Sequence, residues 1–388
     1  MSGTAISELC EINPKHPTDV PADELVAFVG MAELDDVTAI ASDVELRPFG
    51  DVSKGYTPLK AGDILMAKIT PCFENCKIGQ ARTSTEVAAG STEFHVMRPD
   101  TSRLDDRYLL HFLRRPEVLE LGELRMTGSG GQRRVPKRFL DELQVPLPPI
   151  EEQRRIAAVL DAADALRTKR RQALAKLDTL TQAIFIDMFG DPVVNSAKRD
   201  RYKISDLCRL VRGSSPRPKG DPRFYGGVVP RLMIADISRD GFLVTPRIDS
   251  LTEAGAKLSR PVEAGTVVMT VSGNVGVVAK LAVDACVHDG FVAFTEVSEQ
   301  MIRPDFLMYQ LDLSRSIHVQ NTAGAIFQNL TTKDIKALPI VVPALELQDT
   351  YLSRVDAVAS QRAALAGSAS SLDALFGSLQ QRAFRGEL

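Results

Sequence analysis

Apolar residues follow two different periods along this chain, and the two alternate. Short β-branched runs at 26–29, 64–69, 228–234, 267–271 and 275–278 are bounded by glycine or proline, which is the pattern of strands. Segments 107–121 and 305–319 carry apolar residues at helical spacing and predict amphipathic helices. Segments 143–149 and 338–343 are extended and broken by proline. Proline is excluded from a helix interior, so one helix should begin after Pro149 and another after Pro343.

Both of these helices carry a heptad pattern. In the second, Val355, Val358, Arg362, Leu365, Ala369, Leu372, Phe376 and Leu379 are spaced by alternating steps of three and four. The matching positions of the first are Leu160, Ala163, Arg167, Arg170, Leu174, Leu177, Thr181 and Ile184. Such a seam wants a partner helix. Residues 151–189 would extend roughly 58 Å at about 1.5 Å per residue. Two helices of this length in one chain can pair antiparallel and hold the globular parts apart; the other reading is that each covers its own domain's core. Phe189-Gly190-Asp191-Pro192 and Phe384-Arg385-Gly386 carry the stop signals.

An internal repeat organises the whole. Leu143-Gln-Val-Pro-Leu-Pro148-Pro-Ile-Glu151-Glu-Gln153 aligns with Leu338-Pro-Ile-Val-Val-Pro343-Ala-Leu-Glu346-Leu-Gln348 at an offset of 195 residues. The offset holds through Asp161/Asp356, Leu177/Leu372 and Phe189/Phe384. Ile6-Ser-Glu-Leu-Cys10 matches Ile204-Ser-Asp-Leu-Cys208, and Ala61-Gly-Asp-Ile-Leu-Met66 matches Ala264-Gly-Thr-Val-Val-Met269. Three blocks in one order mean two copies of one module, and the period is far too long for a solenoid. The expected fold is α+β: two globular α/β domains in tandem, each followed by a long helix, with the two helices pairing as an antiparallel coiled coil. The boundaries are 1–148, a long helix at 149–192, a second globular domain at 193–343 and a second long helix at 344–388.

A length of 388 residues agrees with more than one domain. Hydrophobic and charged fractions of 44% and 25% are those of an ordinary globular protein. The richest apolar stretch, 266–287, is interrupted by Gly273, Gly276, Lys280 and Asp284, so no membrane span is expected. Met1-Ser2-Gly3-Thr4 has neither the basic flank nor the apolar core of a signal peptide, and a cytoplasmic protein is the expectation. Five scattered cysteines argue against a disulfide framework. Net charge is −3 and unevenly spread: residues 1–148 hold 17 basic and 23 acidic groups, residues 201–343 hold 17 and 14. Any polyanion would have to be met by local patches.

Enzymatic signatures are missing. The chain has no Gly-x-x-x-x-Gly-Lys-Ser/Thr phosphate loop, no Gly-x-Ser-x-Gly elbow and no His-Glu-x-x-His pair. Leu147-Pro148-Pro149-Ile150 lacks the asparagine of an adenine methyltransferase tetrapeptide. Cys72, Cys76 and His95 offer no fourth ligand at a zinc-like spacing. His288-Asp289 has no neighbouring nucleophile in sequence, and Cys10 and Cys208 suit small buried side chains. No catalytic residue and no metal site is expected.

Pro148-Pro149-Ile150-Glu151-Glu152-Gln153-Arg154-Arg155-Ile156, followed by a long helix, resembles the conserved region of the specificity subunits of type I restriction–modification systems. Gly213-Ser-Ser-Pro216 through Tyr225-Gly-Gly-Val-Val-Pro230, then Asp236-Ile237, resembles that family's opening of a recognition domain. Gly324-Ala-Ile-Phe-Gln328-Asn329-Leu330 resembles its Gly-x-x-x-Gln-x-Asn-Ile loop. Tyr225-Gly226 stands where the family has a tryptophan, and Thr127-Gly-Ser-Gly-Gly-Gln132-Arg133-Arg134 is a looser match in the first copy. The resemblance spans the whole chain. It implies a subunit without catalysis that reads a two-part, asymmetric target on double-stranded DNA, one half per recognition domain, with the helices fixing the gap. It implies two methyltransferase subunits, which bind S-adenosylmethionine, and motor–nuclease restriction subunits using ATP and Mg. It leaves this chain no cofactor and no membrane. A specificity protein of another methyltransferase-based phage-defence system is the alternative, and an enzyme with an unrecognised site is a further one.

DNA-facing candidates then follow from local charge. Arg133, Arg134, Lys137 and Arg138 lie in or beside a glycine-rich loop with no acid between Met126 and Arg138. Arg209, Arg212, Arg217, Lys219 and Arg223 face one acid, Asp221, in a stretch stiffened by Pro216 and Pro218. Gln328 and Asn329 share the repeat position of Gln132-Arg133, and such amides and guanidinia pair bidentately with base edges. Lys68 and Lys77 flank a loop equivalent to Ser272-Gly273-Asn274; they either touch phosphate or are surface lysines. Arg154, Arg155, Arg167, Lys169, Arg170 and Arg171 form a solvated face, or meet DNA or an acidic partner. Ile156, Leu166, Phe185 and Phe189 lie off the seam as a candidate docking surface for methyltransferase helices.

Overall fold

Proline and glycine set the ends of the long helices. In the computed structural model, which describes residues 3–129, 131–321 and 331–388 (backbone only at 316–321), Ile150–Phe189 and Leu345–Arg385 are each a single helix. The first begins directly after Pro149. It stops at Gly190, whose φ of +79° is a left-handed geometry that glycine adopts without a Cβ clash. The second stops before Gly386, φ +74°.

Two compact units result, and only the second is continuous in sequence. One comprises Met1–Leu174 with Leu365–Leu388, the other Ala175–Ala364. In the first, Cys10–Ile12, Phe94–Pro99, Ile64–Ala67, Ile78–Arg82, Ile40–Ser42 and Leu34–Asp35 form a six-stranded sheet in that order. Glu45–Pro48, Leu25–Val29, Ala88–Gly90 and Thr57–Leu59 form a four-stranded one. The second unit repeats the plan. Arg209–Arg212, Phe291–Thr295, Val267–Thr270, Val278–Leu281 and Leu243–Val244 make five strands, while Asp249–Leu251, Tyr225–Leu232, Ala285–Val287 and Arg260–Val262 make four. The proline-broken segments become Gln144–Pro146 and Pro339–Val341, each paired antiparallel with the first strand of its own module.

The repeated glutamine explains the motif at the helix starts. Gln153 and Gln348 are the fourth residues of their helices and are fully buried. Gln153 Oε1 accepts from the Asp105 N–H at 2.9 Å, and its Nε2 donates to the carbonyls of Arg103 and Pro148 at 2.9 Å. Gln348 does the same with the Arg303 N–H and the carbonyls of Met301 and Pro343, all at 2.8 Å. Each amide latches a loop of the domain to the start of its helix.

Within each unit the long helices pack antiparallel. In the first, Arg167 Nε donates to Asp373 at 2.7 Å, and its guanidinium lies 4.2 Å from the centroid of the Phe376 ring. In the second, Arg362 pairs with Asp178 at 2.6 Å. Of the seam positions, Leu160, Val355 and Val358 are buried; Ala163, Leu174, Leu177, Ile184, Leu365, Leu372, Phe376 and Leu379 are half-buried. Arg154, Arg155, Arg167 and Arg171 are engaged with Glu151, Glu152 and Asp373 of the chain itself.

Three expectations are corrected. The helix expected over 107–121 is two, Asp106–Leu113 and Pro116–Arg125, because Pro116 lacks an N–H and opens the second at its first position. The strand expected at 275–278 starts only at Val278, since Gly276, φ +83°, turns the chain before it. Ile156, Phe185 and Phe189 are buried and offer no docking surface. Ile156 joins the core of the first unit. Phe185 and Phe189 pack in an aromatic cluster with Phe306 and Tyr351, at centroid separations of 5.0–5.8 Å. Leu166 alone of the four is exposed.

Candidate nucleic-acid interface

In the first unit, two loops distant in sequence are laced together by backbone bonds. Thr70 N–H donates to Arg133 O at 3.0 Å, Val135 N–H to Lys68 O at 2.8 Å, and Ile69 and Thr127 both bridge to Arg134. Lys68, Gln132, Arg133 and Arg134 therefore share one rim. The cations there are held by acids of the same domain. Arg133 pairs with Glu74 at 3.1 Å, and Arg134 forks onto Glu93 at 2.8–3.2 Å. The Arg134 hydrogen bonds hold the Glu93 carboxyl below its ordinary pKa. Lys137 and Arg138 reach Asp141 and Glu142 one turn on, at 2.6 and 2.5 Å. Lys77 turns elsewhere, donating from Nζ to Met31 O at 2.8 Å. Among the described residues Lys68 has no ion-pair partner.

In the second unit two of the candidates line a cavity of about 260 Å³, while Arg212, Arg223 and Asn274 stay outside its lining. Arg217 and Lys219 come from the basic segment, Ser272 from the Ser272-Gly273-Asn274 loop, and His288, Asp289 and Gly290 from the turn before strand Phe291–Thr295. Gly213 lets the segment lie flat on that turn: a Cβ there would stand 2.0 Å from His288 O. Arg217 approaches Asp289 at 3.8 Å, Arg212 donates to the Asp289 carbonyl at 3.3 Å, and Arg223 forks onto Asp221. Asn274 Oδ1 accepts from Arg315 at 2.8 Å. Gln328 and Asn329 lie outside the described residues.

Sequence reasoning missed Arg231, which forms the cavity's floor with Ser215 and Met233. It is 5% exposed. Nη1 pairs with Asp249, Nη2 donates to Ser215 Oγ at 2.9 Å, and the Tyr225 ring lies 5.4 Å from the guanidinium. Tyr225 itself donates to Pro216 O at 2.9 Å, so the motif from Gly213 to Tyr225 builds the cradle of this arginine. The legible signal was an arginine inside an otherwise apolar strand, an expensive placement unless the charge is used or paired. His288 Nδ1 accepts the Gly290 N–H at 2.9 Å, which leaves the ring proton on Nε2; burial, then Arg231, push its pKa down. Asp236, also in the motif, is structural: it is fully buried, caps the helix Ile234–Asp240 and accepts the Arg247 N–H.

The remaining candidates take ordinary roles. Cys10 and Cys208 are buried at equivalent positions, and burial pushes both thiols up to about 12. His95 bonds Val135 O through Nε2 at 2.8 Å. Among the described residues no three His, Cys, Asp or Glu side chains are grouped to hold a metal, and no helix is long and apolar enough to cross a membrane.

Architecture and rim thus define a tandem pair of α+β modules, each delivering its chain to a long helix and gathering cations on one loop cluster. The family described as Type I restriction modification DNA specificity domain matches residues 6–177 and 199–367, and the chain belongs to it. It is 40% identical over 182 residues to the EcoEI type I restriction enzyme specificity subunit of Escherichia coli, covering 46% of this chain and 30% of that one. To the EcoAI specificity subunit of Escherichia coli it is 37% identical over 187 residues, covering 47% and 31%. The matched part is about a third of the length of either relative. A solved structure from work on complex assembly and conformational transition of the type I R-M system has the same fold: TM-score 0.66 at 19% identity, over 99% of this chain and 97% of its own.

Proposed function

We propose that this chain is the non-catalytic specificity subunit of a type I restriction–modification complex and reads a two-part, asymmetric DNA sequence, one half per α+β domain. The observation that carries this is the match of the DNA-specificity family to both copies of the repeat. Residues 1–148 and 193–343 are the recognition domains, and 149–192 and 344–388 the helices between and after them. In the first domain Lys68, Gln132, Arg133, Arg134, Lys137 and Arg138 meet DNA, with Lys77 at the margin. In the second, Arg212, Arg217, Lys219, Arg223 and Asn274 do so, and Gln328 and Asn329 read base edges by their repeat equivalence to Gln132 and Arg133. The self-paired arginines of the first domain exchange Glu74 and Glu93 for phosphate or guanine acceptors on binding, which suits specific over indiscriminate association. Two methyltransferase subunits carrying S-adenosylmethionine and motor–nuclease subunits using ATP and Mg complete the complex, in the cytoplasm.

The test is co-expression with the methyltransferase encoded beside it and genome-wide mapping of N6-methyladenine. The expected result is one two-part motif that vanishes without this chain and changes on one side only when residues 1–148 are swapped. A methyltransferase indifferent to the chain would reject the reading.

A further inference from the structure

The walls of the cavity on the second domain define the kind of group it would take. Arg217, Lys219 and Arg231 bring three cations to a lining with one carboxylate, Asp289. Asp249 stands behind Arg231 on a neighbouring strand and takes Nη1; Nε is buried and has no hydrogen-bond partner among the described residues. Lys219 has no ion-pair partner among them either. The Ser272 hydroxyl and the His288 Nε2–H add neutral donors. Ser215 is already spent, donating to Asp289 at 2.6 Å while accepting from Arg231. A donor-rich lining with surplus positive charge recognises an oxyanion, and 260 Å³ holds one with several waters at about 30 Å³ each.

We propose that this cavity is a preorganised seat for one phosphodiester of the bound duplex, with Lys219 and Ser272 as its outer ligands and the buried Arg231 as its floor. The inference rests on the DNA-recognition reading and adds to it a fixed anchor point. Tyr225, Ser215 and Asp249 hold the Arg231 guanidinium in place before DNA arrives, so little side-chain freedom is lost on binding. A phosphate seated there sets the register of the domain on the duplex without reading a base.

The test uses the full chain and a fluorescently labelled 30-base-pair duplex of mixed sequence, with affinity measured by anisotropy over a range of NaCl concentrations. Lys219→Gln should weaken binding about fivefold and lower the slope of log K against log salt by about 1. Ser272→Ala should weaken binding about threefold with the slope unchanged. Lys257→Gln, an exposed lysine on another helix, should change neither. A second arm follows the melting temperature with inorganic phosphate as the probe. Wild-type affinity and slope in both Lys219→Gln and Ser272→Ala would overturn the proposal. So would losses confined to one duplex sequence, which mark a base contact. Melting protected by phosphate in the wild type but not in Lys219→Gln, with DNA binding intact in both, would reassign the seat to a free phosphate. If the wild type bound no duplex at all, the DNA reading would fall with the seat, and the phosphate arm would still report the oxyanion chemistry of the cavity.

Discussion

The buried Gln153 amide satisfies three backbone groups at the start of its helix. Its removal leaves the Asp105 N–H and the carbonyls of Arg103 and Pro148, all partly buried, without these partners. Gln153→Ala should therefore cost about 3 kcal/mol, whereas Arg154→Ala one position along, on the exposed face, should change stability by less than about 0.5 kcal/mol. Gln348→Ala should show the same loss in the other unit, because its bonds are the same. Chemical denaturation of the full chain, with hydrogen exchange assigning the loss to a unit, measures both. The repeat exposed this pair plainly. Arg231 was illegible in another way: nothing in its immediate sequence says that Ser215 and Asp249 will be its partners, since both come from other strands and turns.

At the level of elements, the helix starts and stops were readable because proline and glycine act locally. The heptad seam was readable as well, but it accounted for one face of each long helix only. A second face belongs to the domain cores, and that is why Ile156, Phe185 and Phe189, apolar and off the seam, are buried rather than free. Domain and helix are also tied by charge. Asp161 on the first long helix accepts from His111 Nε2 at 2.7 Å and from Arg107 at 2.5 Å, both on the helix Asp106–Leu113. Burial raises the Asp161 pKa, but the hydrogen bonds from His111 and Arg107 outweigh it, and the group ends at about 2, below its ordinary 3.8. A depressed carboxylate stabilises the fold fully above its ordinary pKa and loses that contribution as pH falls through the folded value. The window is therefore about pH 4 down to about 2, and the half-exposed position limits the contribution to about 1 kcal/mol. Asp161→Asn should remove this acid-limb dependence while costing stability at neutral pH. An unchanged slope of unfolding free energy against pH between 4 and 2 would refute the coupling. Asp356, its repeat equivalent, shows that alignment does not carry roles, since it makes no such bonds in the described structure.

For the molecule as a whole, the repeat in sequence and the compact units do not coincide. Reading the chain linearly gives domain, helix, domain, helix. The physical units instead divide each long helix, and the last 24 residues return to the first domain. There Phe384 lies against Tyr108 and Phe112, at centroid distances of 4.9 and 5.4 Å; Ala383 is buried beside it; and Gln380 Nε2 donates to His111 O at 2.9 Å. Spacing could show that two helices want each other but not which domain each end would complete, because that depends on aromatic contacts between residues more than 250 positions apart. The division makes an asymmetric prediction. Removing residues 365–388 should strip the first domain of Phe384 and its neighbours, and Phe384→Ala alone should cost that unit about 3–5 kcal/mol. The damage should appear at the opposite end of the sequence from the cut. Hydrogen exchange in Phe94–Pro99 and Asp106–Leu113 should accelerate strongly, while Val267–Thr270 and Phe291–Thr295, much nearer the deletion in sequence, keep their protection. Loss confined to the second domain, or no loss at all, would mean that the C-terminal segment is not part of the first unit.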